Sequence, residues 1–125
     1  MAQFELNEVA FNPGAREGTY LVNTTATGSV DYYVIPTWAN NGIGITLTAL
    51  STAVVKVQAT TDTIANIVAN TAIWADLPAP FTGVTAGAIV QGGVQYAISA
   101  LRVNTTTALA GNQATIAIRT NATRW

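Results

Sequence analysis

The stretch IGITLTALSTAVVKVQAT, residues 43–60, contains two runs in which apolar and polar side chains alternate. In the first run Ile43, Ile45 and Leu47 are separated by glycine and threonine, and residues 53–60 alternate in the same way. Successive side chains of a β-strand point to opposite faces of the sheet, so a period of two predicts strands with one covered face and one polar face. The stretch therefore predicts a β-sheet.

Short runs rich in β-branched and aromatic residues continue this pattern along the chain. Further strands are predicted at residues 19–23, 30–35, 86–91, 94–104 and 113–120. Seven short strands with glycine, proline and asparagine between them, and almost no helical period, predict an all-β protein. We expect an antiparallel β-sandwich, jelly-roll or immunoglobulin-like, over residues 19–125, preceded by an extended N-terminal arm at residues 1–18.

The sixth predicted strand changes phase along its length. Its apolar residues switch from even positions, such as Val94, to odd positions, such as Leu101. One extra residue near Ser99 or Ala100 would restore a single buried face, which predicts a β-bulge. Arg102 then points outward, and the sixth and seventh strands are expected to form the final hairpin.

Residues 62–73 are the one segment with a helical period. Apolar side chains recur there at i, i+3 and i+4, beginning at Ile64, and Asp62 is a candidate cap. We expect a short helix or a long loop in this segment. Residues 74–78 are expected to form an irregular corner that buries the indole of Trp74.

The composition removes several kinds of chemistry. The chain has no cysteine and no histidine, which excludes Ser-His-Asp and Cys-His mechanisms and thiolate metal sites. Asp31, Asp62 and Asp76 are isolated carboxylates in which neither calcium-loop spacing nor a clear glycosidase pair is recognisable. Such residues beside turns usually accept hydrogen bonds from backbone amides. We therefore expect no catalytic residue, no cofactor and no metal.

The charge distribution bears on the partners. A net charge of −1 gives no basic surface for phosphates, so no nucleic-acid partner is expected. The long uncharged stretches are interrupted by proline, asparagine and glutamine, and are therefore not predicted to span a membrane. Because the first residues lack the pattern of a secretion signal, the chain is expected to act in a cytoplasm or to leave it by lysis.

The missing charge is the most unusual feature of the composition. Charged residues make up 9% of the chain, whereas they make up about 25% of ordinary soluble domains. Threonine, asparagine, alanine and glycine take their place, and such a surface is dehydrated at lower cost than a charged one. This composition predicts a protein whose surface is covered in large part by neighbouring protein in an assembly.

Several residues are candidates for contacts with neighbouring chains. The apolar residues of the arm would cover an edge of their own domain or reach a neighbour, and a terminal aromatic residue is suited to a pocket on another chain. An outward arginine would pair with a carboxylate on a neighbour or would simply aid solubility. The candidates are Phe4, Leu6, Val9, Phe11, Arg102 and Trp125.

Aromatic residues offer an alternative, a platform on which sugar rings stack. Trp38, Trp74 and Tyr33 are the candidate residues for such a platform. Tyr32 and Tyr33 are adjacent on a predicted strand and must face opposite sides, so at most one is expected in the core. The other would need a wet or an intersubunit environment.

Four motifs occur in order in the second half of the chain. They are a V-x-x-S/T-x-D strand end at residues 57–62, a W-x-D-L corner at 74–77, the strand ALRVN at 100–104 and a closing ATIAI strand at 114–118. Together they span about half of the chain. As an ordered set they resemble the β-sandwich structural proteins of tailed-bacteriophage virions, and most of all the small capsid decoration or cement proteins.

The resemblance implies a non-enzymatic structural role. Proteins of this kind form homotrimers on the outside of the head and clamp neighbouring capsomers, so the implied partners are the major capsid protein and further copies of the chain. The implied location is the capsid surface, after assembly in the host cytoplasm. A carbohydrate- or receptor-binding module of a tail fibre or head fibre is the alternative, and a glycosidase built on the aspartates ranks last.

Overall fold

The computed structural model describes residues 2–5, 7–8, 16–23, 31–35, 43–50, 54–84, 88–94, 98–107 and 112–120. Within these ranges the chain forms strands and one short helix. The strands are β1 (Ala2–Glu5), β2 (Asn7–Glu8), β3 (Arg16–Asn23), β4 (Asp31–Val34), β5 (Ile43–Ala49), β6 (Val54–Thr60), β7 (Ala75–Asp76), β8 (Ile89–Val94), β9 (Ala100–Thr107) and β10 (Asn112–Thr120), and the helix α1 is Ile64–Val68. The prediction of an all-β protein is confirmed.

The strands form two five-stranded sheets. Sheet I has the order β1-β4-β9-β6-β7, and sheet II has the order β2-β3-β10-β5-β8. The described pairings are antiparallel, except that β1 runs parallel to β4. Five predicted strands correspond to β3, β4, β5, β6 and β10, whereas the strand predicted at residues 86–91 is shifted to Ile89–Val94.

Consecutive strands lie mostly in different sheets. From β3 to β10 the chain changes sheet at every step except between β6 and β7. β9 therefore lies in sheet I and β10 in sheet II, so the prediction that they form a hairpin is wrong. β9 and β10 each bury one apolar face. Because the two strands lie in different sheets, these two apolar faces can pack against the same core.

The change of phase in the sixth predicted strand marks a change of sheet. Val94 ends β8 and pairs with Ile43 in sheet II, whereas Leu101 pairs with Tyr33 in sheet I. Residues 95–97 lie outside the described residues. The single strand predicted at residues 94–104 is thus two strands, and a β-bulge is not needed to explain the two phases.

The main core is a cluster of buried side chains drawn from both sheets. Sheet II contributes residues such as Ile45, Leu47, Ile116 and Ile118, and sheet I contributes residues such as Tyr33, Val55, Val57, Leu101 and Val103. Burying one such side chain stabilises the fold by about 1.5–3 kcal/mol. The alternation in residues 43–60 is the pattern that supplies much of this cluster.

Sheet I is also covered on its other face, which we call its outer face. Tyr32, Ile67 and Ala100 form a second buried cluster, against which the partly buried Trp74 packs. Tyr32 and its neighbour Tyr33 have exposed fractions of 2% and 1%. The expectation that one of the two tyrosines needs a wet or intersubunit environment is wrong, because the segment containing α1 covers the second face.

The helix differs from its prediction in its cap and its buried face. Thr63 is the N-cap, and its side chain accepts a hydrogen bond from the backbone N–H of Asn66, so Asp62 precedes the cap. Of the predicted apolar stripe, Ile67 is buried, whereas Ile64 and Val68 are exposed. The helix is little more than one turn long. Only one side chain of this stripe therefore packs against sheet I, and the other two remain exposed.

The N-terminal segment pairs with both sheets of its own chain. β1 adds to the edge of sheet I beside β4, with Phe4 in register with Tyr33, and β2 adds to sheet II beside β3. These strands correspond to the first of the two alternatives for the arm, in which it covers an edge of its own domain. Strand β3 also begins within the predicted arm. Leu6, Val9, Phe11 and Trp125 lie outside the described residues.

Candidate interaction surface

Sheet II presents its second face away from the main core, and we call this its outer face. Strand β5 alternates here, with Ile43, Ile45, Leu47 and Ala49 buried and the residues between them exposed or half-buried. Pairing with neighbouring strands sets the outward residues in rows across the sheet. The first row is Leu21, Thr115, Thr48 and Ile89, the second is Thr19, Ala117, Thr46 and Gln91, and the third is Arg119, Gly44 and Gly93.

The first two rows carry no charged residue. They consist of threonine, alanine, glutamine, leucine and isoleucine. Threonine suits the strand backbone through its branched side chain, and its hydroxyl keeps the face polar. Among the described side chains of these rows the charge is that of Arg119 in the third row, and the backbone of Arg119 pairs with that of Glu17. This face can therefore be dehydrated without removing an ion from water over most of its area.

Large aliphatic side chains stand at both ends of the first row. Leu21 is 51% exposed and Ile89 is 67% exposed, although each belongs to a regular strand. Thr48 and Thr115 lie between them. The first row is thus a stripe of apolar and hydroxyl groups that offers contact area to another protein.

A shallow depression of about 730 Å³ lies where the second and third rows meet. Gly44 leaves room in the surface there because it has no side chain. Polar groups surround that room, among them Thr46 of the same strand and Gln91 of β8, whose Nε2 donates to Thr46 Oγ1 at 3.3 Å. The depression is open and offers hydroxyl and amide groups.

A polar row crosses the outer face of sheet I. Asp76, Gln58 and Arg102 are in register on β7, β6 and β9. Gln58 Nε2 donates to Asp76 Oδ1 at 2.8 Å, and Arg102 Nε donates to Gln58 Oε1 at 2.8 Å. Lys56 Nζ lies 3.2 Å from the same Asp76 carboxylate. The row links three strands through charged and amide groups.

The guanidinium of Arg102 also stacks on an aromatic ring. Its central carbon lies 4.4 Å from the centroid of the Trp74 ring, and partial burial lowers the pKa of Arg102. Arg102 does lie on the face opposite Leu101 and Val103, which belong to the main core. Its contacts with Gln58 and Trp74 are made within the chain, and a pair with a neighbour's carboxylate stays a prediction.

The carboxylates of Asp62 and Asp76 accept hydrogen bonds from other parts of the chain. Asp62 accepts from the backbone N–H groups of Thr63 and Ile73 and from the Asn66 side chain, joining the two ends of the segment around α1. The hydrogen bond from Asn66 is the largest cause that lowers the pKa of Asp62. The hydrogen bond from Gln58, followed by that from Lys56, lowers the pKa of Asp76.

The sequence also raised Asp31 and the possibility of a metal site. Asp31 is the first residue of β4. In the described ranges, no group of three or more histidine, cysteine, aspartate or glutamate residues is placed to hold a metal ion.

The aromatic residues of the alternative prediction have different environments. Tyr33 is 1% exposed, and its ring centroid lies 4.5 Å from that of Tyr20 in the core, so it is not a stacking platform for sugars. Trp74 is only partly buried, one side of its ring is covered by Arg102, and the corner that follows it includes the short strand β7. Trp38 lies outside the described residues.

Sequence reasoning missed the buried polar side chains of sheet I. Gln58 and Thr60 occupy polar positions of the alternation in β6, yet their exposed fractions are 8% and 3%. The apolar content of residues 64–74 could have predicted this burial, because an apolar segment outside the main core has to pack against another part of the protein. Thr105 is also buried, and its hydroxyl has no hydrogen-bond partner in the part of the chain that the structure describes.

Comparisons with protein families, with curated protein sequences and with solved structures found no match to this chain. Within the described ranges, the helix is too short to cross a membrane.

Proposed function

We propose that this chain is a non-enzymatic structural protein of a tailed-bacteriophage virion, a capsid decoration or cement protein. In this proposal the two sheets pack face to face as a β-sandwich, and the outer face of sheet II meets neighbouring protein. The observation that carries the proposal is the absence of charge from the first two rows of that face. The ordered motifs in the second half of the chain are the reason for proposing a virion protein.

The chain would act through repeated contact. Contact between uncharged, partly apolar surfaces avoids the several kcal/mol that each buried ion costs. One such contact is modest, but a symmetric lattice repeats it many times, and simultaneous engagement at several points converts weak contacts into firm attachment. A decoration protein that works in this way stabilises a shell without forming or breaking a covalent bond.

The proposed partners are the major capsid protein and further copies of this chain, and the proposed place is the outer surface of the capsid. The resemblance implies a trimer. Leu21 and Ile89, at the two ends of the first row, are exposed aliphatic side chains that would make such contacts.

Co-sedimentation with shells that lack the chain tests this proposal. Attachment should change little between low and high salt, because screening weakens contacts between charges and leaves apolar and hydroxyl contacts in place. Thr115→Glu puts a charge in the middle of the first row and should reduce attachment by about tenfold or more, because an unpaired buried ion costs several kcal/mol. Thr61→Glu is the matched control, since Thr61 is exposed outside sheet II. Lack of attachment by the unmodified chain would refute the proposal.

A second candidate function is a carbohydrate- or receptor-binding module of a tail or head fibre. The depression beside Gly44 favours it, because hydroxyl and amide groups such as Thr46 and Gln91 can bind sugar hydroxyls. Glycan-array binding that is lost in Thr46→Val or Trp38→Ala would support this function. Silence across a broad array would remove it.

A further inference from the structure

Strand β8 forms one edge of sheet II. It is six residues long, and β5 is its one neighbour among the described strands. The opposite edge of the same sheet is β2, which has two residues. An edge strand carries a row of backbone N–H and C=O groups that can pair with another strand. The backbone of β8 thus fits an extended segment as its partner.

Natural proteins guard such edges with charged residues or proline, and β8 has neither. The sequence contains no charged residue from Leu77 to Leu101. In a two-fold contact a surface meets a copy of itself, so any charge near the axis meets a like charge. A neutral edge avoids this repulsion between two copies, and it offers no charge by which a partner of opposite charge would be selected.

The side chains of β8 are complementary to each other about one point. In an antiparallel pair, residues that lie opposite each other share a face of the sheet. With a two-fold axis at Gln91, each Gln91 faces Gln91 of the other copy, and each Ile89 faces Gly93. Ile89 is 67% exposed, and Gly93 has no side chain to obstruct it. A Cβ on Gly93 would lie 2.7 Å from the Ile43 carbonyl oxygen, so the chain itself requires glycine there.

The glutamine amide suits this position as well. It carries two N–H groups and a carbonyl oxygen. One N–H of Gln91 is donated to Thr46 within the chain, which leaves a donor and an acceptor. Two such amides that face each other across a two-fold axis can donate to one another.

We propose that β8 pairs antiparallel with β8 of a second copy, about a two-fold axis at Gln91, so that the two copies of sheet II become one continuous sheet. The pairing specifies how the chain contacts its own copies, and in that respect it rests on the proposed function. The contact gives a dimer in place of the trimer that the resemblance implies. The pairing therefore depends on the part of the proposed function that makes further copies of the chain its partners, and it does not depend on the implied trimer.

A charge exchange at position 91 tests the register. Gln91→Lys places two ammonium groups opposite each other and Gln91→Glu places two carboxylates, so each variant alone should be monomeric by sedimentation equilibrium, at concentrations where the unmodified chain is dimeric. An equimolar mixture of the two variants should recover the dimer. Thr115→Lys, on the same face but two strands from the edge, is the control and should stay dimeric. A monomeric unmodified chain, a trimer, or a mixture that stays monomeric would overturn the proposal.

Cross-linking provides a second measurement that does not depend on charge. The chain has no cysteine, and paired residues of antiparallel strands have Cα atoms about 4.5–5.5 Å apart, within the range that disulfides span. Gln91→Cys should therefore form a disulfide-linked dimer under mild oxidation, and Thr115→Cys should not. Equal cross-linking of both variants would contradict the proposed register.

The experiments can refute the edge contact and the proposed function independently of each other. A chain that attaches to shells but is a monomer in solution overturns the edge contact and leaves the decoration role intact. A dimer that is broken by Gln91→Lys, but ignores shells, supports the edge contact and overturns the decoration role.

Discussion

Gln58 and Arg102 lie directly opposite each other on β6 and β9, and Arg102 Nε donates to Gln58 Oε1 at 2.8 Å. This pair belongs to the outer face of sheet I, where Lys56 and Asp76 also lie. The outer face of sheet I thus carries three charged side chains close together, Lys56, Asp76 and Arg102. The first two rows on the outer face of sheet II carry no charged residue, and this difference between the two faces is the basis of the proposed role.

Arg102→Lys should destabilise the fold although it keeps the charge. Lysine lacks the planar guanidinium that stacks on Trp74 and donates through Nε to Gln58. We expect a loss of about 1–3 kcal/mol in the free energy of unfolding, measured by urea denaturation. Lys56→Met is the control, because its solvent-exposed pair with Asp76 should contribute little to stability. Equal losses in both variants would contradict the importance of the stacked geometry.

Thr105→Val should stabilise the protein. The Thr105 hydroxyl is buried and has no partner among the described residues, so an apolar group of similar shape removes a desolvation penalty of about 1–3 kcal/mol. Thr60→Val is the opposite case, because Thr60 Oγ1 donates to the Ile73 carbonyl at 2.8 Å and accepts from the Asp62 backbone N–H. Thermal denaturation should raise the melting temperature of the first variant and lower that of the second. A lower melting temperature for Thr105→Val would show that its hydroxyl is satisfied.

The two lowered carboxylate pKa values predict a loss of stability in acid. A carboxyl group whose pKa is lower in the folded chain than in the unfolded chain stabilises the fold above its unfolded pKa. That contribution disappears as the pH falls from the ordinary value of 3.8 through the lowered values of Asp62 and Asp76. Asp62→Asn should therefore lower the melting temperature near pH 7, and the difference from the unmodified chain should narrow in acid. A difference that is constant with pH would contradict this role.

Gly93→Ala should destabilise the fold, whereas Gly44→Ala should be tolerated. A Cβ on Gly93 would lie 2.7 Å from a backbone oxygen, but a Cβ on Gly44 meets its nearest atom at 3.8 Å. Relieving the first clash requires movement of the β5–β8 pairing, which we expect to cost about 1–3 kcal/mol. Denaturation of the two variants side by side measures the difference. Equal stability would mean that β8 adjusts without cost.

The sequence predicted the strands better than their connections. The alternation of Ile43, Ile45 and Leu47 requires a strand with one buried face, and the structure confirms it. The same kind of pattern cannot say which sheet a strand joins. For that reason the residues around Val94 and Leu101 were interpreted as one strand with a bulge, although they belong to two sheets.

The candidate surface was predictable only as a composition. The low charge predicted a covered face somewhere, but the rows that form it join residues from β3, β10, β5 and β8, which only the register brings together. Arg102 was predicted to point away from the core, and it does. Its contact with Gln58 was missed because it depends on the register between β6 and β9, and its contact with Trp74 because it depends on where the segment between α1 and β7 lies.

Chemical labelling of a single cysteine tests the central claim most directly. Thr115→Cys and Thr61→Cys, each the only cysteine of its chain, should both react with a maleimide in the isolated protein. In purified virions, the cysteine at position 115 should be protected by neighbouring protein, whereas the cysteine at position 61 should still react. Equal labelling of both positions in the virion, or absence of the chain from the virion, would contradict the account.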